Sequence, residues 1–234
     1  MPSQQLVVLG ITWFLVFLFS TTLHEAGHAL AALKLGDPTA YQGGQVTLSP
    51  LPHVRREPFG MLLVPLISFV LSKGGWMMGW ASAPYDPIWA HRHPRRAAIM
   101  ALAGPAGNLL LVLVAAVAVR VGVALGAYQP LPYVSFDAIV GARGPGFAAG
   151  TIAPLSILFT LNLILFVFNL LPVPPLDGSA AVGIFLTDEA GRRYHQFLRQ
   201  PMFSMLGILA AWYLFGPIFQ PINSLAVQLL YAGY

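Results

Sequence analysis

The chain contains no cysteine, which excludes a disulfide framework and any thiolate metal site, so a metal could be held only by nitrogen and oxygen. Charge is scarce as well. Only 9% of the 234 residues are Asp, Glu, Lys or Arg, against about a quarter in an ordinary soluble domain. The formal net charge of +4 is modest and falls in loops between apolar runs, and no basic patch is interleaved with aromatics, so nucleic acid is not an expected partner. Internal repeats and low-complexity tracts are also absent. What is abundant is hydrocarbon: 57% of the residues are hydrophobic and the mean hydropathy is +0.72. This composition belongs in a lipid bilayer.

Apolar runs long enough to cross a hydrocarbon core, about 20 residues, occupy 6–35, 97–119 with a continuation toward 127, and 151–171, with a further run at 202–219. Gly36-Asp37-Pro38 stops the first, as helix breakers do. Its leading residues, MPSQQLVVLG, lack the basic n-region of a signal peptide and run on past an h-region, so they read as a retained membrane helix. The run at 59–71, followed by Ser72-Lys73-Gly74-Gly75 and a second apolar stretch to Ala83, is short for a crossing and suits a re-entrant segment. Residues 222–234 are too short to cross alone. Between the runs, Gln45-Val46-Thr47-Leu48 alternates as a small strand does, while 84–96, 128–150 and 188–200 read as loops. The prolines of 172–176 exclude a helix there and predict extended chain. The expected fold class is an all-α polytopic membrane protein of about five transmembrane helices, with a re-entrant segment and a small β-hairpin near the active site. It forms a single domain over 1–234, with a core at 6–187 and an additional C-terminal span at 200–234.

His24-Glu25-Ala26-Gly27-His28 is an H-E-x-x-H pattern, which on a helix places two imidazoles one turn apart on one face with a glutamate beside them to act as a base. Each ionisable group within a membrane helix costs on the order of 2 to 3 kcal/mol. Three together need a purpose. Catalytic zinc takes three protein ligands and keeps one position open, so a third donor is required. His53, His91, His93 and His195 all fall in loops, whereas Asp177 sits in the non-helical break after an apolar span, where irregular backbone can line a cavity. Asp177 is therefore the candidate third ligand, its ordinary alternative being a helix N-cap.

HEAGHALAALKLGDP, the stretch Ala103-Gly104-Pro105-Ala106-Gly107-Asn108 and FNLLPVPPLDG together resemble the three signature blocks of the site-2 protease family of intramembrane zinc metalloproteases (peptidase family M50). They occur in the family's order across residues 24 to 178. The resemblance implies one Zn2+ per chain held by His24, His28 and Asp177, with Glu25 as the catalytic acid/base. It makes Asn108 a substrate or oxyanion candidate, with a helix-packing amide as the alternative. Asn169 opens the N-x-x-P-x-P block, in a structural or substrate-orienting role. His53, in LSPLPHVRREP, could approach the site, but a lone loop histidine is expected to be solvated. Relatives of this kind often carry PDZ or CBS domains, but every loop here is too short to form one.

If span one and the segment after Leu171 share a metal, an odd number of crossings separates them, and 97–119 supplies it. Residues 59–83 then enter and leave on one face. This topology puts Lys34, Arg55, Arg56, Lys73, Arg92, Arg95, Arg96, Arg192, Arg193 and Arg199 on the active-site side and only Arg120 and Arg143 opposite, which makes the active-site side cytoplasmic by the positive-inside rule. The expected localisation is the cell membrane, multi-pass. The expected partners are the lipid bilayer and a transmembrane protein substrate, whose peptide bonds are hydrolysed within or near its membrane segment. A membrane metal-binding protein or transporter and a catalytically silent homologue are the alternatives.

Overall fold

The computed structural model describes residues 3–198 and 200–233. Four of its helices are long and apolar enough to cross a membrane: α1 (Ser3–Leu35), α6 (Pro94–Ala124), α7 (Phe147–Asn169) and α10 (Pro201–Tyr231). The all-α polytopic class holds, with four spans among the described residues in place of about five. Shorter helices lie between them: α2 (Thr39–Gln42), α3 (Pro50–Arg56), α4 (Val64–Leu71), α5 (Pro87–Arg92), α8 (Asp177–Ala181) and α9 (Asp188–Leu198). At the C-terminal side, α10 runs in one piece through Pro217 and Pro221, where the sequence suggested an end near Phe219. An interior proline removes one hydrogen bond, but ending a helix within an apolar run leaves several backbone groups without partners in hydrocarbon. The charged stretch expected as a loop forms α9. Asp188 and Glu189 occupy its first turn, where the helix dipole favours acids, and Glu189 pairs with Arg193 one turn on at 2.7 Å.

Helices α1 and α6 are antiparallel and close. Gly27 lies against the Ala103 carbonyl and Gly107 against Leu23, the small-residue approach that membrane helices use where apolar burial alone gives no drive to associate. Helix α7 packs on both. Two apolar clusters form around this three-helix centre: Leu9, Trp13 and Phe17 of α1 meet Phe69, Met77, Ile157 and Leu161, while Val112, Val119 and Val123 of α6 meet Phe159, Leu163 and Val167 of α7.

Residues 59–86 double back on themselves. A π-helical turn, Phe59–Leu63, leads into α4, the chain turns at 72–75 with Lys73 and Gly74 at φ 54° and 88°, and 76–86 return without helix or strand. The Trp80 N–H donates to the Gly60 carbonyl at 3.1 Å and the Met78 N–H to Ser68 Oγ at 3.0 Å, so the two arms are joined along their length. The tip reaches further than the sequence implied. Gly74 lies against Leu6 and Phe69 against Gly10, and because α1 opposes α6, Leu6 is level with the Ala124 end of α6. Lys73 therefore belongs at the end of the bundle that carries Arg120, whereas Arg95 and Arg96 bond to the Leu186 and Leu35 carbonyls at the other end. Arg199 lies outside the described residues.

The β-hairpin is displaced from its expected place. β1 (Tyr128–Gln129) pairs antiparallel with β2 (Gly141–Ala142), Tyr128 opposite Ala142, in the connection between α6 and α7. Tyr128 packs on Gly122 of α6, which lies 14 residues, or roughly 21 Å of helix rise, beyond Asn108. Gln45 to Leu48 form no strand: without a neighbouring strand to pair with, Gln45 turns inward and donates to the Ser82 carbonyl at 3.4 Å. Residues 172–176 are not extended either. Val173 N–H donates to Leu171 O at 2.8 Å, and Leu176 N–H to Val173 O at 3.0 Å, a pair of tight turns compatible with prolines between them.

Candidate metal centre

His24 and His28 are buried one turn apart on α1, facing α6. Asp177 opens α8, and the turns at 171–176 carry it back under the end of α7. Gly178 permits that return, since a Cβ there would strike the Leu170 and Leu171 carbonyls. The result is a triangle of donor atoms: His24 Nε2 to His28 Nε2 at 3.0 Å, His24 Nε2 to Asp177 Oδ2 at 3.1 Å and His28 Nε2 to Asp177 Oδ2 at 3.3 Å. Asp177 is not a side-chain cap for α8.

The proton positions decide what the triangle is. His28 Nδ1 is 2.8 Å from the Met100 carbonyl, which only accepts, so this nitrogen carries the proton and Nε2 of the neutral ring carries a lone pair. His24 Nδ1 is likewise engaged, 2.6 Å from Asn108 Oδ1. With both rings neutral, these contacts turn the two Nε2 lone pairs toward Asp177 Oδ2, a buried atom without a hydrogen-bond partner. Such a cluster repels itself unless a cation sits among its members. Tetrahedral zinc, at about 2.0 to 2.1 Å from nitrogen and 2.0 to 2.2 Å from carboxylate oxygen, sets its ligands roughly 3.3 Å apart. The triangle fits. Gly104 of α6 completes the room, because a Cβ there would fall onto both Nε2 atoms.

Glu25 is buried beside the triangle without belonging to it. It borders a cavity of about 910 Å³ that also reaches His24, His28, Asp177, the returning arm at 79–85, Asn169, and Tyr194 of α9. The Tyr194 hydroxyl donates to the Ser179 carbonyl at 2.9 Å, tying α9 to α8, and burial pushes its phenol pKa upward.

The structure brings together His24, Glu25, His28 and Asp177. It places Asn108 against His24 but fully buried and off the cavity wall, its Nδ2 donating to Asn162 Oδ1 at 2.8 Å. Asn169 is on the wall and donates to the Leu165 carbonyl at 3.0 Å. His53, expected to be solvated, is buried against the Thr47 carbonyl at 3.2 Å and does not border the cavity. Sequence reasoning passed over Asn162 altogether. Its signal was available: an amide in the middle of an otherwise apolar span needs a partner.

The sequence pattern of Peptidase family M50 matches residues 12–212. Among curated proteins, the chain is 35% identical over 175 residues to the provisionally named zinc metalloprotease YwhC of Bacillus subtilis, covering 70% of this chain and 64% of that protein. It is 34% identical over 176 residues to the provisionally named zinc metalloprotease Rip2 of Mycobacterium tuberculosis, and 30% identical over 179 residues to Rip2 of Mycolicibacterium smegmatis, covering 75% of this chain and 58% of the relative in each case. The matched chain thus spans about three fifths of the length of these relatives. No solved structure matches it. With that match running from within α1 to within α10 and enclosing every member of the donor triangle, the chain belongs to Peptidase family M50.

Proposed function

We propose that this protein is an intramembrane zinc metalloprotease of the site-2 type, hydrolysing peptide bonds within or near the transmembrane segments of other membrane proteins. The observation that carries the reading is the convergence of two imidazole nitrogens and a carboxylate oxygen, with Glu25 beside them, on the wall of a cavity within a membrane-spanning bundle. His24, His28 and Asp177 would hold one Zn2+ through Nε2, Nε2 and Oδ2. Bound there, zinc supplies Lewis acidity, polarising a carbonyl and acidifying a water. The Glu25 carboxylate takes the proton from the attacking water as its oxygen bonds to the scissile carbon, and returns that proton to the amine as the C–N bond breaks.

A helical substrate hides its carbonyls in hydrogen bonds and must unwind before attack. The strand once expected at 45–48 and the extended chain expected at 172–176 do not exist to hold it. The returning arm at 79–85, non-helical and bordering the cavity, is the segment suited to align an unwound chain by backbone pairing. Basic residues remain more numerous at the Pro94 end of the bundle than at the Lys73 end, which orients the active site toward the cytoplasm. Single cysteines at Arg55 and Lys73 should therefore label from opposite sides of a sealed membrane. Labelling of both from the cytoplasmic side would restore a shallow loop.

The decisive test incubates purified protein with single-span membrane substrates in detergent, with and without a chelator, and identifies fragments by mass. Glu25→Gln should retain metal and cut at least about 100-fold more slowly, as expected for loss of a positioned base. Cleavage at the unaltered rate would refute the assigned role. Metal flux through vesicles without any peptide product would instead mark a transporter.

A further inference from the structure

The buried amide on α7 that the chemistry above does not use is Asn162, which is fully buried together with Ser20 and Asn108. Its hydrogen bonds have an enforced direction. Asn162 Nδ2 is 2.8 Å from the Leu158 carbonyl and 2.9 Å from Ser20 Oγ. A carbonyl only accepts, so the Asn162 amide nitrogen must face it, and the oxygen of that amide must face Asn108. Asn108 therefore presents Nδ2 to Asn162, at 2.8 Å, and is left presenting Oδ1 to His24 Nδ1, at 2.6 Å. An oxygen there requires the His24 proton on Nδ1. Its Nε2 then points a lone pair into the donor triangle.

We infer that Asn162 is a positioning residue for the metal centre: acting through Asn108, it transmits the polarity of the Leu158 carbonyl to His24 and sets the imidazole tautomer that exposes Nε2 as a ligand. Resting on the metal-site reading above, this goes beyond it by assigning a role to a residue two hydrogen bonds away from any donor. The two histidines differ in how they are set. His28 meets a backbone carbonyl directly, that of Met100, and needs no relay. His24 meets a side-chain amide, which could equally turn its nitrogen inward, and an inward nitrogen would favour the tautomer with a proton on Nε2. The hydrogen bond made by one ring nitrogen decides what the other can do.

The rival account is that the three amide and hydroxyl groups only clamp α1, α6 and α7 together. Cobalt(II) titration of the full chain in detergent separates the two. Asn162→Leu should weaken cobalt binding 10- to 100-fold, the usual cost of losing such a support, and Asn108→Leu by a similar factor. The double variant should lose no more than Asn108→Leu alone, because one residue acts through the other. Asn162→Asp should recover most of the affinity, since a protonated carboxyl donates to the Leu158 carbonyl and still accepts from Asn108. Nitrogen-15 histidine spectra of the zinc-loaded protein give a readout independent of catalysis. The His24 Nδ1–H signal should lose its hydrogen-bonded shift in Asn162→Leu while that of His28 stays in place.

Additive losses, no recovery with Asp, or equal shifts at both histidines would overturn the relay in favour of a clamp. Should Asn162→Leu not fold, Asn162→Ala takes its place. In the zinc-loaded wild type, a His24 Nδ1–H that lacks a hydrogen-bonded shift would overturn the relay by itself. If the wild type bound neither zinc nor cobalt, the metal-site reading would fail, and the relay with it. Metal binding without proteolysis would reject only the protease activity.

Discussion

Helices α6 and α10 both register as membrane spans: each has 31 residues, each is apolar enough to cross a bilayer and each has proline in its interior. In the fold they are opposites. Over its most apolar window α6 is 39% buried and carries Gly104, Pro105 and Asn108 on its buried face, while α10 is 17% buried, with Trp212 and Tyr213 among its outward residues. Hydropathy reports the solvent a helix can tolerate, not its neighbours. Neighbours are chosen by small residues that let backbones approach and by polar residues that must find partners. In α6 both kinds point at α1. In α10 one position does comparable work, Gly207, which lies against the backbone of Pro174, three residues before Asp177.

The same substitution, Gly→Ala, tests this contrast at three positions. In α6, Gly104→Ala puts a methyl group onto both Nε2 atoms. Metal content should fall to background and cleavage by about 100-fold or more, with the protein still inserted, as atomic absorption and membrane extraction would report. Full metal occupancy would mean that the imidazoles approach α6 less closely than described. In α10, Gly207→Ala meets backbone that must move, and the turn holding Asp177 moves with it. A roughly tenfold weaker metal affinity is expected, and an unchanged affinity would make α10 a bystander throughout. Gly216→Ala, further along the same helix, meets nothing within 4 Å. It should leave metal binding and turnover alone and alter thermal stability by no more than about 1 kcal/mol, in the stabilising direction. A loss of activity there would show an α10 surface that contacts the substrate.

Much of the centre was legible because its chemistry is local. His24, Glu25 and His28 share one helical turn, and three ionisable groups inside an apolar run demand a reason whatever surrounds them. Asp177 was legible through the break that prolines impose after Leu171. The role of Asn108 was not, because the residue alone does not say which way its amide faces. Asn162 sits 54 positions from Asn108 and 142 from Ser20, separations that no local pattern bridges. The strand at 45–48 failed for a related reason: alternation describes a face, but a strand exists only where another strand meets it.

The sequence by itself determined the solvent, the number of apolar segments to within one, the cluster of His24, Glu25 and His28, and the non-helical break that carries Asp177. These follow from transfer free energies, helix periodicity and the limits proline sets on the backbone, all of which act over a few residues. Tertiary structure alone decided the depth of the doubled-back segment, which moved Lys73 to the far end of the bundle, and the closeness of α1 to α6. It also decided the hydrogen-bond partners. Each imidazole of the donor triangle meets an oxygen on another helix, that of Met100 for His28 and that of Asn108 for His24, and hydrogen bonds have a direction that can be read only when both partners are in place.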